Sequence, residues 1–240
     1  MLAVLAALGV AASAAPKPAV PASPPAALLQ GANAGDAQAQ DRLGAWYDDH
    51  GDGATAVAWY KKSADAGWIN GAHHMGVMLE GGAEGKGVPQ DCAKSRAYLL
   101  KASTAGSAAS TFRIGYQYYR GVCADKDYAL ARDWFDRSRT AAGTFYLGLM
   151  AEYGQGRGVD LTEAASLYEK AYVGGHMGKS ANQRAHLAYD GSPQDLETAY
   201  LWYLRGVADA DEEDRARLQA LRRRLSEKTR RRVESEARQR

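Results

Sequence analysis

The sequence predicts an all-α protein, a solenoid of about five stacked helical hairpins. Two observations lead to this prediction. In one pattern an apolar residue is followed by glycine, and in the other a bulky pair is flanked by a small residue and a base. The glycines of the first pattern recur at steps of 32, 39 and 33 residues. Self-similarity at such a period is typical of repeat architectures, in which each repeat is one supersecondary unit.

The first pattern predicts an amphipathic helix in each repeat. Its copies are Leu43-Gly44, Met75-Gly76, Ile114-Gly115 and Leu147-Gly148, with a degenerate fifth copy at Arg184-Ala185. A small residue stands four positions before each apolar residue, and positions four apart share one helical face. Glycine inside a helix costs about 0.5–1 kcal/mol relative to alanine, so its repetition indicates compensating close packing. A later glycine, seven positions after the apolar residue in four copies, is expected to end the helix.

The second pattern predicts the partner helix of each hairpin. Its bulky pairs are Trp59-Tyr60, Tyr98-Leu99, Trp134-Phe135, Leu167-Tyr168 and Trp202-Tyr203. Each has Ala or Ser three residues before its first member and Lys or Arg three residues after it. We expect Pro89 and the loop aspartates to lie in the first turn of these helices. One hairpin cannot bury its apolar face alone, so the hairpins must stack.

Taken together, the two patterns resemble the Sel1-like repeat family, a relative of the tetratricopeptide repeats. The best matching segments are 154–159, Gly-Gln-Gly-Arg-Gly-Val, and 56–64, Ala-Val-Ala-Trp-Tyr-Lys-Lys-Ser-Ala. The resemblance implies a right-handed α/α superhelix over residues 28–211. Its repeats are expected at about 36–67, 68–106, 107–141, 142–175 and 176–211. The fifth repeat departs from the family pattern at Arg184-Ala185 and in its short loop at Ser192-Pro193.

The N-terminal segment differs from the repeats. Residues 1–14 read as a signal peptide, an apolar run that ends in the cleavage pattern Ala12-Ser13-Ala14. Residues 15–27 read as an extended linker rich in Pro and Ala. We therefore expect a periplasmic or secreted protein, with a disordered tail as the alternative. No Lys or Arg precedes the apolar run, so we expect the sequence to be truncated at its start.

The C-terminal segment, residues 212–240, carries 11 basic and 6 acidic residues. A solenoid needs polar end caps, so the segment is expected to form basic capping helices with a solvated face. A surface for an anionic partner is the alternative.

The two cysteines also leave two alternatives. Stacking would bring Cys92, at the start of a second helix, near Cys123 in the loop of the next repeat. A disulfide between adjacent repeats is one alternative, and free buried thiols are the other.

No pattern for catalysis or metal binding is present. His73 and His74 are adjacent and do not face each other on a helix, and no Cys/His pairing has zinc spacing. Gly85-Lys86 lacks the earlier glycine and the following Ser or Thr of a phosphate loop. We expect no catalytic residue, metal, cofactor or membrane span. The net charge of +2 gives no reason to expect nucleic-acid binding.

The resemblance implies a scaffold or adaptor that binds a protein or peptide in a concave groove. In tetratricopeptide geometry the first helices line this groove. The corresponding positions here are His73, Phe112, Tyr116, Tyr119, Arg120, Phe145, Leu149, Glu152, Tyr153, Asn182, His186 and Tyr189. Grooves rich in aromatic rings suit extended chains, because rigid rings contribute contact area at low entropic cost. The alternative is that some of these rings pack between repeats.

Three functions are consistent with the resemblance. Sel1-like proteins commonly act as adaptors in signalling and envelope assembly, so an exported monomeric scaffold is the leading hypothesis. The first alternative is an enzyme of the β-lactamase-like, cysteine-rich type, which has a cysteine pair within each repeat. The second is a polysaccharide-binding module of the cell envelope.

Overall fold

The computed structural model describes residues 23–81, 88–191 and 194–239. Within these ranges the chain forms thirteen α-helices and no β-strand. The predicted signal peptide, residues 15–22 of the predicted linker and the short loop Ser192-Pro193 lie outside the described residues.

Ten of the helices form five hairpins that stack in chain order. They are α2 (Ala37–Asp49) with α3 (Gly53–Asp65), α4 (Ile69–Gly81) with α5 (Cys92–Thr104), α6 (Ala108–Arg120) with α7 (Tyr128–Ser138), α8 (Ala141–Glu152) with α9 (Leu161–Val173), and α10 (Met177–Asp190) with α11 (Leu196–Gly206). The second helix of each hairpin packs against the first helix of the next. The predicted helical solenoid is confirmed.

The repeated glycine lies where the two helices of one hairpin meet. A Cβ atom added at this glycine would stand within 3 Å of the second member of the bulky pair, which is buried in every repeat. The pairs and distances are Gly44 with Tyr60 (2.7 Å), Gly76 with Leu99 (2.5 Å), Gly115 with Phe135 (2.9 Å) and Gly148 with Tyr168 (2.7 Å). The packing contacts that this close approach allows therefore offset the helix stability that glycine costs relative to alanine.

An aspartate caps the start of every second helix. Its carboxylate accepts a hydrogen bond from the backbone N–H three residues later, one of the donors that a helix start leaves unpaired. The bonds are Asp52 with Thr55 (3.0 Å), Asp91 with Lys94 (3.0 Å), Asp127 with Leu130 (2.9 Å), Asp160 with Glu163 (2.8 Å) and Asp195 with Thr198 (3.0 Å). The prediction that these residues and Pro89 lie in the first turn was wrong. The aspartates precede that turn, and Pro89 precedes the cap Asp91 by two residues.

The glycines that were expected to end the first helices behave in two ways. Gly121 adopts the left-handed conformation with φ 72°, and Gly154 does so with φ 65°. Gly191 instead ends α10 in an extended conformation, with φ −65° and ψ 161°, which any residue can adopt. Each of the three glycines lies at or directly after the end of its helix, so the prediction holds at all three, and only the backbone conformation of Gly191 differs. The fourth glycine, Gly82, lies outside the described residues.

Additional helices close both ends of the stack. At the N-terminal end α1 (Ala26–Asn33) packs on α2, where Gln40 Nε2 donates to the carbonyl oxygen of Ala32 at 3.2 Å. At the C-terminal end a 3-10 turn (Val207–Asp209) leads into α12 (Glu212–Arg224) and α13 (Glu227–Ala237). Leu221 and Val233 are buried in the cluster that includes α11. These helices therefore bury the apolar face that the last repeat would otherwise expose.

The degenerate fifth repeat keeps the same packing with different residues. Ala185 stands in place of the glycine and is fully buried in the same cluster as Tyr203. Arg184, in place of the apolar residue, extends to the preceding repeat, where its Nε lies 2.8 Å from Glu169 Oε1. An ion pair thus joins the fourth and fifth repeats at this position.

Candidate functional site

The first helices of the first three hairpins lie on the inner side of the stack. In the described chain, α2 contacts α4 and α4 contacts α6, in addition to the contacts within and between hairpins. Successive second helices approach one another less closely. Because the more closely packed side of a curved stack is its inner side, α2, α4 and α6 face the concavity. We infer the same for α8 and α10, which are the corresponding helices of the last two hairpins.

Four aromatic side chains of the third and fourth repeats come together on these helices. Phe112, Tyr116 and Tyr119 lie on α6, and their ring centroids are 5.7, 5.5 and 5.2 Å from that of Tyr146 on α8. All four side chains are half-buried. We call this cluster the aromatic patch. Tyr146 was missed by the sequence analysis because it lies one residue before Leu147, outside the positions that the resemblance assigns to the groove.

The aromatic patch rests on the core of the third repeat. Phe135 is almost fully buried, and its ring centroid lies 5.4 Å from that of Phe112 and 5.2 Å from that of Tyr146. The rings therefore do two things, since one side packs between repeats and the other faces solvent. The sequence posed these as alternatives, and the structure combines them.

The phenol groups of Tyr119 and Tyr146 are neutral at physiological pH. Burial, followed by the neighbouring Tyr116, raises the pKa of Tyr146 to about 12. Burial also raises the pKa of Tyr119. These hydroxyls can therefore donate and accept hydrogen bonds without carrying charge.

Two arginines border the aromatic patch. The guanidinium groups of Arg113 and Arg120 lie 5.5 and 5.9 Å from the ring centroid of Tyr116. Arg113 Nε also donates to Oε2 of Glu80 at 2.8 Å, and Gln117 Nε2 donates to the same oxygen at 3.0 Å. Glu80 is only 2% exposed, so Arg113 neutralises a buried carboxylate of the preceding repeat. Arg113 and Glu80 were not expected at the site, because an ion pair between repeats leaves no periodic signal, whereas Arg120 was predicted there.

Three further predicted residues lie at the end of α8. Leu149 and Glu152 are half-buried, and Glu152 accepts a hydrogen bond from the hydroxyl of Tyr168 at 2.5 Å. Burial and this hydrogen bond raise the pKa of the Tyr168 phenol well above its usual value. Tyr153 is 59% exposed and lies close enough to Tyr119 for their phenols to interact. Tyr153 is therefore the predicted aromatic residue that is most available to a partner at this surface.

Other predicted groove residues lie inside the stack. His73 Nδ1 is 2.9 Å from Ser110 Oγ between α4 and α6, and burial is the main reason that its pKa falls to about 4. Phe145 is 7% exposed and packs against the ring of His176 with a centroid distance of 4.4 Å. Asn182 is 6% exposed and lies against Gly206. Phe145 and Asn182 therefore offer no surface to a ligand.

The last two predicted residues contact the C-terminal cap. His186 Nε2 lies 2.6 Å from Oδ1 of Asp214 on α12, and Asp214 is 4% exposed. Tyr189 lies beneath Arg217, whose guanidinium is 5.1 Å from the ring centroid. These side chains are separate from the aromatic patch and hold α12 against the fifth repeat.

A disulfide joins the second and third repeats. Cys92, at the start of α5, is bonded to Cys123, in the loop after α6, with a Cα–Cα distance of 4.9 Å. Of the two alternatives that the sequence left open, the structure contains the disulfide between adjacent repeats.

The arrangement offers non-covalent binding through rings and guanidinium groups. Among the described residues, no group of three or more His, Cys, Asp or Glu side chains is close enough to hold a metal ion. None of the helices in the described ranges combines the length and the apolar character that crossing a bilayer requires.

The chain is similar to several solved structures. A protective antigen present in uropathogenic Escherichia coli strains, with an SLR fold, matches 86% of this chain with a TM-score of 0.72 and 24% identity. The match spans 46% of that antigen's length, about half of it. A Sel1 repeat protein from Oxalobacter formigenes matches 85% of this chain and 88% of its own, with a TM-score of 0.69 and 23% identity. A Sel1 repeat protein from Klebsiella pneumoniae subsp. pneumoniae matches 82% and 98%, with a TM-score of 0.55 and 19% identity.

At these identities the likeness shows the fold alone. No curated protein matches the chain significantly. The family model described as the Sel1 repeat matches residues 37–68, 69–107, 108–140, 141–176 and 179–209. These matches cover well over half of the sequence and follow the five hairpins, so the chain belongs to the Sel1 repeat family.

Proposed function

We propose that this protein is an exported scaffold that docks a protein partner on the aromatic patch of its concave side. Sel1 repeat proteins are commonly protein-interaction scaffolds. The observation that carries the proposal is the gathering of four half-buried rings on α6 and α8, bordered by Arg113 and Arg120. Partly exposed aromatic rings and arginines are the residue types that dominate binding energy at protein interfaces.

Rigidity favours this surface as a docking site. The rings are held from below by Phe135 and from the side by one another. A partner would therefore lose little side-chain entropy of the scaffold on binding, since the rings are already ordered. The hydroxyls of Tyr116, Tyr119 and Tyr146 would satisfy polar groups of an extended segment.

Export is supported by two features of the chain. Residues 2–10 form an apolar run that ends in small residues, which is typical of a signal peptide. The Cys92–Cys123 disulfide suits an oxidising compartment such as the periplasm or the cell exterior.

The enzyme alternative lacks a supporting observation. Its cysteine-rich relatives have a pair of cysteines within each repeat, whereas here one disulfide joins two different repeats. The polysaccharide alternative shares the aromatic patch and is separated from protein docking by the experiment that follows.

Site-specific photo-cross-linking in the native cell tests the proposal. A photoreactive phenylalanine replaces Tyr153 at the edge of the aromatic patch, and Val173 on α9, 84% exposed, is the matched control position. The proposal predicts protein adducts from position 153 and none from position 173. Adducts of equal yield at both positions, or adducts at neither, would refute it.

Measuring the affinity of variants for the cross-linked partner then tests whether Arg120 and Tyr153 contribute to binding. We expect the double variant Arg120→Ala/Tyr153→Ala to bind at least tenfold more weakly than the native chain, because both side chains are exposed beside the rings. Val173→Ala should bind normally. An unchanged affinity of the double variant would place the docking surface elsewhere.

A further inference from the structure

The corner where α12 meets α13 carries a concentration of positive charge. Residues 222–231 contain six basic residues and one acidic residue. We call this segment the basic corner. Arg222, Arg223 and Arg224 form the last turn of α12, and Lys228 lies in the first turn of α13. Arg230 Nη1 donates to the carbonyl oxygen of Arg222 at 2.8 Å, which holds the two helices together at this point.

Other arginines of the cap are used within the structure. Arg217 forms ion pairs with Asp190 and Glu213 at 3.0 and 2.7 Å. Arg232 pairs with Glu197 on α11. The pairs with Asp190 and Glu197 attach the cap to the fifth repeat, whereas the pair with Glu213 lies within α12. In these contacts an arginine with a structural role is paired with an Asp or Glu side chain.

Three bases of the basic corner have no such role. Arg223, Arg224 and Lys228 are exposed, and among the described residues no carboxylate lies within ion-pair distance of them. The helix dipole favours a base in the last turn of α12, which accounts for an arginine there. It disfavours Lys228 at the start of α13. Repulsion among these neighbours would be relieved by an external anion.

The three unpaired bases of the basic corner offer charge without an apolar anchor beside them. Leu221 and Val233 are turned into the core and are 0% and 2% exposed, and Leu225 is half-buried. The depression beside the corner is open and is lined by Glu227, Lys228 and Arg231. A second depression, beside Arg222, is lined in part by Leu204 and Leu218, but none of the three unpaired bases lines it. A folded protein is usually held by buried anchors in a pocket, and neither depression places an apolar anchor beside these bases. A broad anionic surface needs only the charges.

We propose that the basic corner docks on a bilayer surface rich in anionic phospholipid. Clusters of four to eight bases on a helix bind such surfaces, and the attraction grows with each added base. Arginine fits phosphate well, since its planar fork can donate two parallel hydrogen bonds. The contact would hold the C-terminal end of the solenoid at the membrane and leave the aromatic patch free for a partner.

Vesicle co-sedimentation of the full chain tests this inference. The probes are vesicles of equal parts phosphatidylglycerol and phosphatidylcholine, and vesicles of phosphatidylcholine alone. The test variant is Arg223→Gln/Arg224→Gln/Lys228→Gln. The matched control, Lys61→Gln/Lys94→Gln/Lys170→Gln, removes the same charge from exposed positions on second helices. All proteins contain the same N-terminal apolar run, so its contribution cancels.

The native chain is expected to bind the anionic vesicles at low salt, and to lose most of this binding at 0.5 M salt or without phosphatidylglycerol. Each base contributes about a fivefold factor, so the test variant should bind roughly 100-fold more weakly. The control should change less than threefold. Equal weakening of both variants, or no vesicle binding by the native chain, overturns the inference. So does binding to a polyglutamate peptide without binding to vesicles, which would indicate an acidic protein partner instead.

Discussion

Individual polar residues buried between helices hold neighbouring units in register. His74 on α4 lies 2.7 Å from Asp41 on α2, and His186 on α10 lies 2.6 Å from Asp214 on α12. Both carboxylates are less than 10% exposed. A buried carboxylate needs a fixed partner, so such pairs favour one arrangement of adjacent helices over others. These pairs fix the relative position of adjacent helices more narrowly than the packing of small and bulky residues would do alone.

We predict that the titration of one side chain, His73, makes the stability of the fold depend on pH. Its folded pKa of about 4 lies below the value of 6.5 in an unfolded chain, mainly because the ring is buried. As the pH falls below 6.5, the unfolded state takes up a proton first, so the free energy of unfolding decreases until about pH 4. We expect a loss of about 1 kcal/mol between pH 7 and pH 5, after allowing for partial solvent screening.

Urea unfolding of the native chain and of His73→Asn at both pH values measures this effect. Asparagine keeps a polar atom near Ser110 Oγ and cannot titrate, so the variant should lose less stability between the two pH values. The other four histidines are present in both proteins. An identical loss in the two proteins would show that His73 is not the group responsible.

At the scale of helices, the sequence predicts the elements better than their junctions. The Ala or Ser before each bulky pair and the base after it correctly indicate a second helix in all five repeats. The bases have a role that the spacing alone did not reveal. Lys62 lies 3.9 Å from the ring centroid of Trp59, and Arg137 lies 4.3 Å from that of Trp134. In these two repeats and in the fifth, where Arg205 lies 4.8 Å from the ring centroid of Trp202, the base packs on the tryptophan of its own helix. In the second repeat Lys101 Nζ instead donates to the carbonyl oxygen of Ala64 at 2.9 Å.

The disulfide links the second and third repeats, and its contribution to the free energy of unfolding can be measured. It closes a loop with a sequence separation of 31 residues. In the chain-entropy model a loop of this length stabilises the folded state by about 3–4 kcal/mol, because the unfolded chain is constrained. The variant Cys92→Ser/Cys123→Ser should therefore unfold at a lower denaturant concentration.

Adding a reductant to the native chain breaks the same disulfide without a substitution. It should lower the stability of the native chain to that of the double serine variant and leave the variant unchanged. A native chain that is as stable with reductant as without it would show that the disulfide adds little to the folded state.

For the whole molecule, a repeat pattern fixes a stack of hairpins, and the relation between successive hairpins decides which surface is exposed. The resemblance places Phe112, Tyr116 and Phe145 on one face, yet the structure separates them. The first two join the aromatic patch, and Phe145 is buried beside His176. Periodicity within one repeat cannot predict this difference, because it depends on the rotation and contacts of the next repeat. Contacts between repeats determine which of these aromatic side chains are exposed and which are buried.

One contact, between the repeated glycine and the buried second member of the bulky pair, builds each of the first four hairpins. Single alanine variants of Gly44, Gly76, Gly115 and Gly148 test it by equilibrium unfolding, with Gly81→Ala as the control. At the first four positions the new methyl group meets a buried side chain at 2.5–2.9 Å, so each variant should lose about 1–3 kcal/mol despite the better helix propensity of alanine. Nothing lies within 4 Å of a methyl group at Gly81, where alanine should be neutral or stabilise by up to about 1 kcal/mol. Four variants as stable as Gly81→Ala would contradict the account.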